Sequence, residues 1–236
     1  MHLSRADHTL AVIDDRGHAT PIRHIIGIGR NYAEHAKEQG AAVPDRPMLF
    51  TKNLASLSMS GEDIVVPRCC QDRPQVDFEG ELGVITGPTA ARDVPLADAM
   101  NHVLAYCVAN DVSARWWQKE GSGGQFYRGK SFDTFCPIST PIAAASIANP
   151  QGLSLVTKVN GHTMQDGTTR DMIFSVATLI HEISKGHTLL PGTLILTGTP
   201  SGVGMARNPQ VWLKDGDTID ISIPHVGTLT NRVRFE

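Results

Sequence analysis

The stretch Val76-Asp77-Phe78-Glu79-Gly80-Glu81-Leu82-Gly83-Val84-Ile85 decides how the rest of the chain is read. Successive side chains of an extended strand point to opposite faces. Val76, Phe78, Leu82 and Val84 then line one apolar face, while Asp77, Glu79 and Glu81 share the other. The apolar face asks for a packed sheet. Three carboxylates at period two repel one another unless something positive sits among them. Two readings follow, the solvated outer face of an edge strand or a site for a bound cation. The stretch alone leaves both open.

Working outward, the apolar run at residues 103–109 reads as a buried strand and ends in Asn110-Asp111. A carboxylate at the end of such a strand is displayed at the mouth of the sheet, so Asp111 is a third candidate ligand. The alternative is that it caps a helix over residues 113–119, and position alone does not separate the two. On that helix Arg115 and Gln118 share a face. Upstream, residues 30–40 read as a short helix with Asn31 as N-cap and Gly40 just past its end, which sets His35 and Glu38 three apart on one face. A His beside a carboxylate can serve as a general base, and a glycine-bracketed helix can act as a lid; a solvated surface pair is the plainer reading. Lys130, between Gly129 and Ser131 in an aromatic neighbourhood, needs an anion if it is buried, although a surface Lys is the commoner outcome.

The remaining segments read as scaffold. Residues 10–14 with Gly17 suggest a hairpin leading to the apolar run 22–28, and 48–51 and 64–66 suggest short strands. Asn160-Gly161 between residues 153–159 and 162–165 suits a type I′ hairpin turn. From Asp171, Ile173, Val176, Ile180 and Ile183 form a helical stripe ending near Gly186. Residues 194–196 form a strand emptying into Thr197-Gly198-Thr199-Pro200, and 219–223 with 229–233 close the chain as a hairpin. The chain has 236 residues, 41% hydrophobic and 19% charged, with a formal net charge of −3. No basic run argues for nucleic acid, no apolar run is long enough to span a membrane, and the N-terminus lacks a signal-peptide core, so a cytoplasmic protein is expected. Cys69, Cys70, Cys107 and Cys136 form no C-x-x-C pair, which gives no case for a disulfide framework or a structural zinc.

Taken in order, Gly29-Arg30-Asn31-Tyr32 with His35 and Glu38, Asp77-Phe78-Glu79-Gly80-Glu81-Leu82, Asn110-Asp111-Val112-Ser113-Ala114-Arg115, Gly129-Lys130-Ser131-Phe132-Asp133 and Leu196-Thr197-Gly198-Thr199-Pro200 resemble the motifs of the fumarylacetoacetate hydrolase family. The resemblance runs from about Ile25 to the C-terminus. It implies an α+β, mainly β fold, a mixed β-roll or sandwich with few short helices, in which residues 25–236 form the catalytic domain and residues 1–24 an extension, a hairpin packed on the core. It implies a homodimer acting on a small keto acid, with one Mg²⁺ or Mn²⁺ per chain held by Glu79, Glu81 and Asp111 and with Asp77 behind them. An all-oxygen set suits these hard cations. By the same resemblance His35 and Glu38 activate water on a lid helix and Lys130 is catalytic. Arg30, Tyr32, Arg115, Gln118 and Thr199 would contact substrate. The implied reaction is hydrolysis of a C–C bond in acylpyruvates or β-diketo acids through a metal-stabilised enolate. The same machinery serves an oxaloacetate-type decarboxylase or a 2-hydroxymuconate-like isomerase or tautomerase, and a silent keto-acid-binding protein is a more distant reading. The chain departs from the pattern at Trp116-Trp117, where many relatives carry an acidic residue first. That pair either reshapes the pocket or packs in the core.

Overall fold

The computed structural model describes residues 1–6, 9–38, 40 and 42–236, so Asp7, His8, Gln39 and Ala41 lie outside the described residues. Its centre is an eight-stranded sheet. The order is Met48–Thr51, His24–Gly29, Thr193–Leu196, Gly80–Thr86, Val103–Asn110, Cys136–Ile138 and Leu57–Met59, with Ile142–Ala143 also on Val103–Asn110. The acidic strand is thus interior, antiparallel to both neighbours, and every residue of Gly80–Thr86 is buried. The solvated-edge reading is excluded.

The expected single strand is in fact two. Val76–Asp77 pairs with Ser113–Ala114, and Phe78 and Glu79 interrupt the ladder before Gly80 resumes it. At the break the Glu79 N–H donates to Asn110 Oδ1 at 3.0 Å, and the Asp111 N–H donates to the Glu79 carbonyl at 2.9 Å, so the backbone stays satisfied without regular pairing. Val76, Phe78, Leu82 and Val84 do reach one core, as their alternation predicts. The opposite face is acidic only at its start, because Ile85 packs into a second core.

A five-stranded sheet, His162–Thr168, Ser154–Val159, Thr218–Ile223, Gly227–Phe235 and Ile64–Val66, covers the first core. Its leading hairpin turns at Asn160 and Gly161, both at positive φ (+50° and +80°), as a type I′ turn requires. The two sheets meet closely at Gly80, where a Cβ would stand 2.2 Å from Thr157 Oγ1. At the N-terminus, His2–Ala6, Thr9–Ile13 and Ala19–Pro21 form a three-stranded sheet. Its Leu10 and Val12, with Ile22, close the second core over Ile25, Ile85 and Leu194.

Helices are few and short: α1 (Ala33–Glu38), α2 (Arg115–Gln118), α3 (Phe126–Lys130) and α4 (Val176–Ser184). Three expectations are corrected here. Asn31 does not cap α1; its amide clasps Phe174 N–H (2.7 Å) and donates to the carbonyls of Phe174 (3.0 Å) and Thr197 (2.7 Å), pinning the entrance of α1 to two distant loops. The helix expected over residues 113–119 is the single turn α2, and Asp111 does not cap it. α4 begins at Val176 under a Ser175 cap, five residues later than the stripe suggested, because Thr169–Asp171 form a separate 3₁₀ turn. No helix among the described residues is long and apolar enough to cross a membrane.

Candidate active site

Glu79 sits at the strand break, Glu81 one residue into the ladder past Gly80, and Asp111 just beyond the end of the neighbouring strand. The register between the two strands sets Ala109 opposite Glu81 and Asn110 opposite Gly80, which carries Asp111 back to the break. One oxygen from each of Glu79, Glu81 and Asp111 lies within 4.8 Å of the other two, and all three side chains are buried.

Buried carboxylates this close need counter-charge. Lys130, at the end of α3, donates to Glu79 Oε2 (2.7 Å) and Asp111 Oδ2 (2.5 Å) and is 1% exposed, so the surface reading of this Lys is overturned. Lys52 donates to Asp111 Oδ1 (2.5 Å) and the Phe135 carbonyl (2.7 Å). Arg115 reaches Asp77 Oδ2 through Nε (2.9 Å) and Nη2 (2.7 Å), Glu79 Oε1 through Nη2 (2.8 Å), and Gln118 Oε1 through Nη1 (3.0 Å). Asp77 also accepts the N–H groups of Gly204 (2.8 Å) and Met205 (3.1 Å), so it anchors Arg115 from behind the cluster. Glu81 alone has no ion pair among the described residues; it accepts the Gly198 N–H at 2.7 Å.

That asymmetry separates two glutamates on one strand. Burial pushes the Glu79 carboxyl up, but Lys130 and then Arg115 outweigh it and hold the group well below its usual range. Burial raises Glu81, and the charges of Asp111 and Glu79 raise it further, well above the ordinary carboxylate value. Burial would lower Lys130, yet Asp111 and Glu79 keep its ammonium charged. The residues fit a hard divalent cation. The cluster is all oxygen, contains no Cys or His, and includes one carboxylate, Glu81, with no ion-pair partner among the described residues.

The cluster opens into a small pocket whose wall includes Arg30, His35, Phe50, Gln118, Lys130 and Thr199. His35 is buried and its Nδ1 lies 2.6 Å from Glu38 Oε1, while Glu38 Oε2 accepts the Gly202 N–H at 2.9 Å, tying α1 to the loop that follows Thr199. The surface-pair reading therefore fails. Arg30 has left-handed backbone (φ +57°), and its Nε is buried without a hydrogen-bond partner. With Gln118 and Phe126 it also lines an outer pocket bordered by Arg115, Lys119 and Gly124. Arg115 faces that outer pocket and not the inner wall.

Tyr32 stands apart from the other expected substrate contacts. It bridges to Met172 and packs in the main core, off the wall of either pocket, with its hydroxyl buried and unpartnered. Burial first, then the charges of Glu81 and Asp171, push its phenol far above the usual value. Trp116 and Trp117 also stand away from the inner pocket. Trp117 stacks under Arg128 (3.9 Å to the ring centre) and edges Phe132, and Trp116 sits under Arg73 at 4.5 Å, so the pair packs on the outer shell.

Sequence reasoning missed Lys52, Asn110 as a backbone acceptor, and Gln165. Lys52 follows a short edge strand, and Gln165 lies 85 residues from the Gly80 N–H it accepts at 2.9 Å, so neither carries a local signal.

The family described as fumarylacetoacetate (FAA) hydrolase C-terminal matches residues 24–234. Over 216 residues the chain is 43% identical to the oxaloacetate tautomerase YisK of Bacillus subtilis (strain 168), covering 90% of this chain and 70% of that one. A solved fumarylpyruvate hydrolase from Pseudomonas aeruginosa, in complex with Mn²⁺ and pyruvate, superposes at a TM-score of 0.86 and 28% identity over 100% of both chains. The 5-carboxymethyl-2-hydroxymuconate delta-isomerase of Mycobacterium smegmatis superposes at 0.80 and 34% identity, over 99% of this chain and 93% of that one. The chain spans about two thirds of the length of the curated relatives it matches, from 65% to 71%.

Proposed function

We propose that this chain, which belongs to the fumarylacetoacetate hydrolase family, interconverts the keto and enol forms of a small oxaloacetate-type 2-keto acid, with a divalent cation held by Glu79, Glu81 and Asp111. The observation that carries the reading is the shared pocket. Glu79 and Glu81 of the carboxylate cluster and His35, paired with Glu38, line the same space. Similarity to an oxaloacetate tautomerase at 43% identity favours isomerisation over the C–C hydrolysis that the sequence motifs put first. Hydrolysis stays as the second reading, because the His35–Glu38 pair suited to activating water is intact.

Mg²⁺ or Mn²⁺ at this site would polarise the substrate carbonyl and favour negative charge on its oxygen. The chain's own groups supply the rest. An ionised Glu38 can only accept, so it fixes the proton of His35 on Nδ1 and orients the ring as a base. His35 would remove a proton from the carbon beside the carbonyl and, as the imidazolium so formed, return it to the carbonyl oxygen to complete the enol; the reverse transfers restore the ketone. Lys130 adds a fixed positive charge beside the reacting oxygens, and Arg30 and Gln118 offer donors to the substrate carboxylates. A cation held by the carboxylate cluster, with Lys130, would lower the cost of the enolate, and the dyad would move the proton.

The test presents the metal-loaded protein with oxaloacetate and with an acylpyruvate. Enol absorbance, CO₂ and acid products are followed in parallel. Metal-dependent change in enol absorbance without CO₂ or new acids is the expected result. Two acids from the acylpyruvate would establish the second reading, CO₂ would establish decarboxylation, and inertness toward both compounds would sink the proposal.

A further inference from the structure

Gly80, the residue between the two glutamates, has both of its backbone polar groups claimed by side chains from elsewhere in the fold. Its N–H donates to Gln165 Oε1 at 2.9 Å, and its carbonyl accepts from Thr199 Oγ1 at 2.8 Å. Gln165, on His162–Thr168 of the second sheet, also donates through Nε2 to the Pro200 carbonyl (2.8 Å) and to Thr199 Oγ1 (2.7 Å). Gln165 is 1% and Thr199 2% exposed, so water does not compete for these bonds.

Backbone groups fix the direction of every bond in this ring. A peptide N–H can only donate and a carbonyl can only accept, so the Gln165 amide has one orientation, oxygen toward Gly80 and nitrogen toward Pro200. That nitrogen can only donate to Thr199. The Thr199 oxygen must therefore accept there and must direct its single hydrogen to the Gly80 carbonyl. A hydroxyl has one hydrogen and two lone pairs, so one lone pair is left over, and Thr199 stands on the pocket wall with Glu79, Glu81 and Lys130.

We infer that Gln165 is a positioning residue that holds Thr199 as a hydrogen-bond acceptor toward the pocket, and that the pocket thereby favours ligands bearing a hydroxyl beside the carboxylate, the enol of a 2-keto acid, over the ketone. The enol O–H donates to Thr199. The ketone offers only acceptors there, and two acceptors facing one another without a hydrogen repel. The neighbouring cations, Lys130 and Arg30, are donors and do not discriminate in this direction. A free threonine rotor would adapt to either tautomer, so it is the clamp from Gln165 that makes the choice. This inference rests on the 2-keto-acid reading above and adds to it which tautomer is held more tightly and by which groups.

The experiment measures binding by calorimetry on the Mn²⁺-loaded protein with two non-reacting probes, lactate for the hydroxyl form and pyruvate for the keto form. Thr199→Val should weaken lactate by about tenfold, the value of one hydrogen bond, and leave pyruvate within about twofold. Thr199→Ser should restore the wild-type preference. Gln165→Met, which frees the threonine hydroxyl to turn its hydrogen inward, should reduce the lactate-to-pyruvate ratio toward that of Thr199→Val. A loss of both probes in equal measure in Gln165→Met would reduce Gln165 to a structural part and overturn its positioning role. An unchanged ratio in the near-isosteric Thr199→Val would overturn the acceptor itself, whether or not the Gln165 variant folds. If the Mn²⁺-loaded wild type binds neither probe, the 2-keto-acid reading fails, and this inference with it.

Discussion

The carboxylate cluster and α1 face the same pocket but are built on different principles. The cluster lies on or beside interior strands, and Lys52 (to Asp111), Lys130 (to Glu79) and Arg115 (to Glu79) hold it from 59, 51 and 36 residues away through buried ion pairs. The helix that carries His35 has six residues, and the Asn31 amide and the Glu38–Gly202 bond tie it to the loops at residues 172–174 and 197–202. Free energies of local opening follow such differences in burial and cross-linking. On the proposed function, ion binding would fall to the more cross-linked part and proton transfer to the part expected to open first, as suits a cover over a reacting substrate.

The comparison breaks most visibly at Glu81. Glu81→Ala removes the one ligand without a cationic partner, and metal-dependent turnover should fall to background along with Mn²⁺ binding by calorimetry; turnover undiminished in a metal-stripped variant would end the assignment. His35→Ala should lower the rate by about 10²–10⁴ while Mn²⁺ affinity stays within about twofold. Equal losses of affinity and rate would mean that the two regions are one unit. Glu38→Ala, which releases both the His35 ring and the Gly202 N–H, should speed hydrogen exchange in residues 33–38 and leave 80–86 unchanged, and protection lost equally in both segments would dissolve the contrast.

The smallest effect is in pH dependence. Burial, then Asp111 and Glu79, raise the folded-state pKa of Glu81 above its ordinary value of 4.5. The folded chain therefore holds this proton more tightly than the unfolded chain. The stability that follows is full below the ordinary value and is lost as pH rises through the folded one, at no more than about 1.4 kcal/mol per pH unit. Metal-free wild type should lose melting temperature over that window relative to Glu81→Gln. Mn²⁺, which binds only the carboxylate, should stabilise wild type more as pH rises and release a proton on binding. A wild type and a Glu81→Gln variant with parallel profiles would remove Glu81 from this role.

Much of this was legible in order along the chain. Alternation placed Phe78, Leu82 and Val84 in one core, Asn160-Gly161 gave the hairpin, and the end of a buried strand displayed Asp111. The failures share a cause. Asn31 resembled a helix cap because caps are local, but its amide is used by residues 143 and 166 positions away. Tyr32 shares a motif with Arg30, yet the bridge to Met172 turns it into the core. The break at Phe78–Glu79 depends on Asn110, and the burial of Lys130 depends on Glu79 and Asp111; no window centred on either segment contains the partner.

The Gly80–Gln165 bond also bears on how the protein is made. The 85 residues between its ends take the ribosome about 4–17 s to add. For that interval Gln165 does not yet exist to fix the amide between the two glutamates. The Gln165 clamp on the amide between the two glutamates cannot form until at least residue 165 has been made.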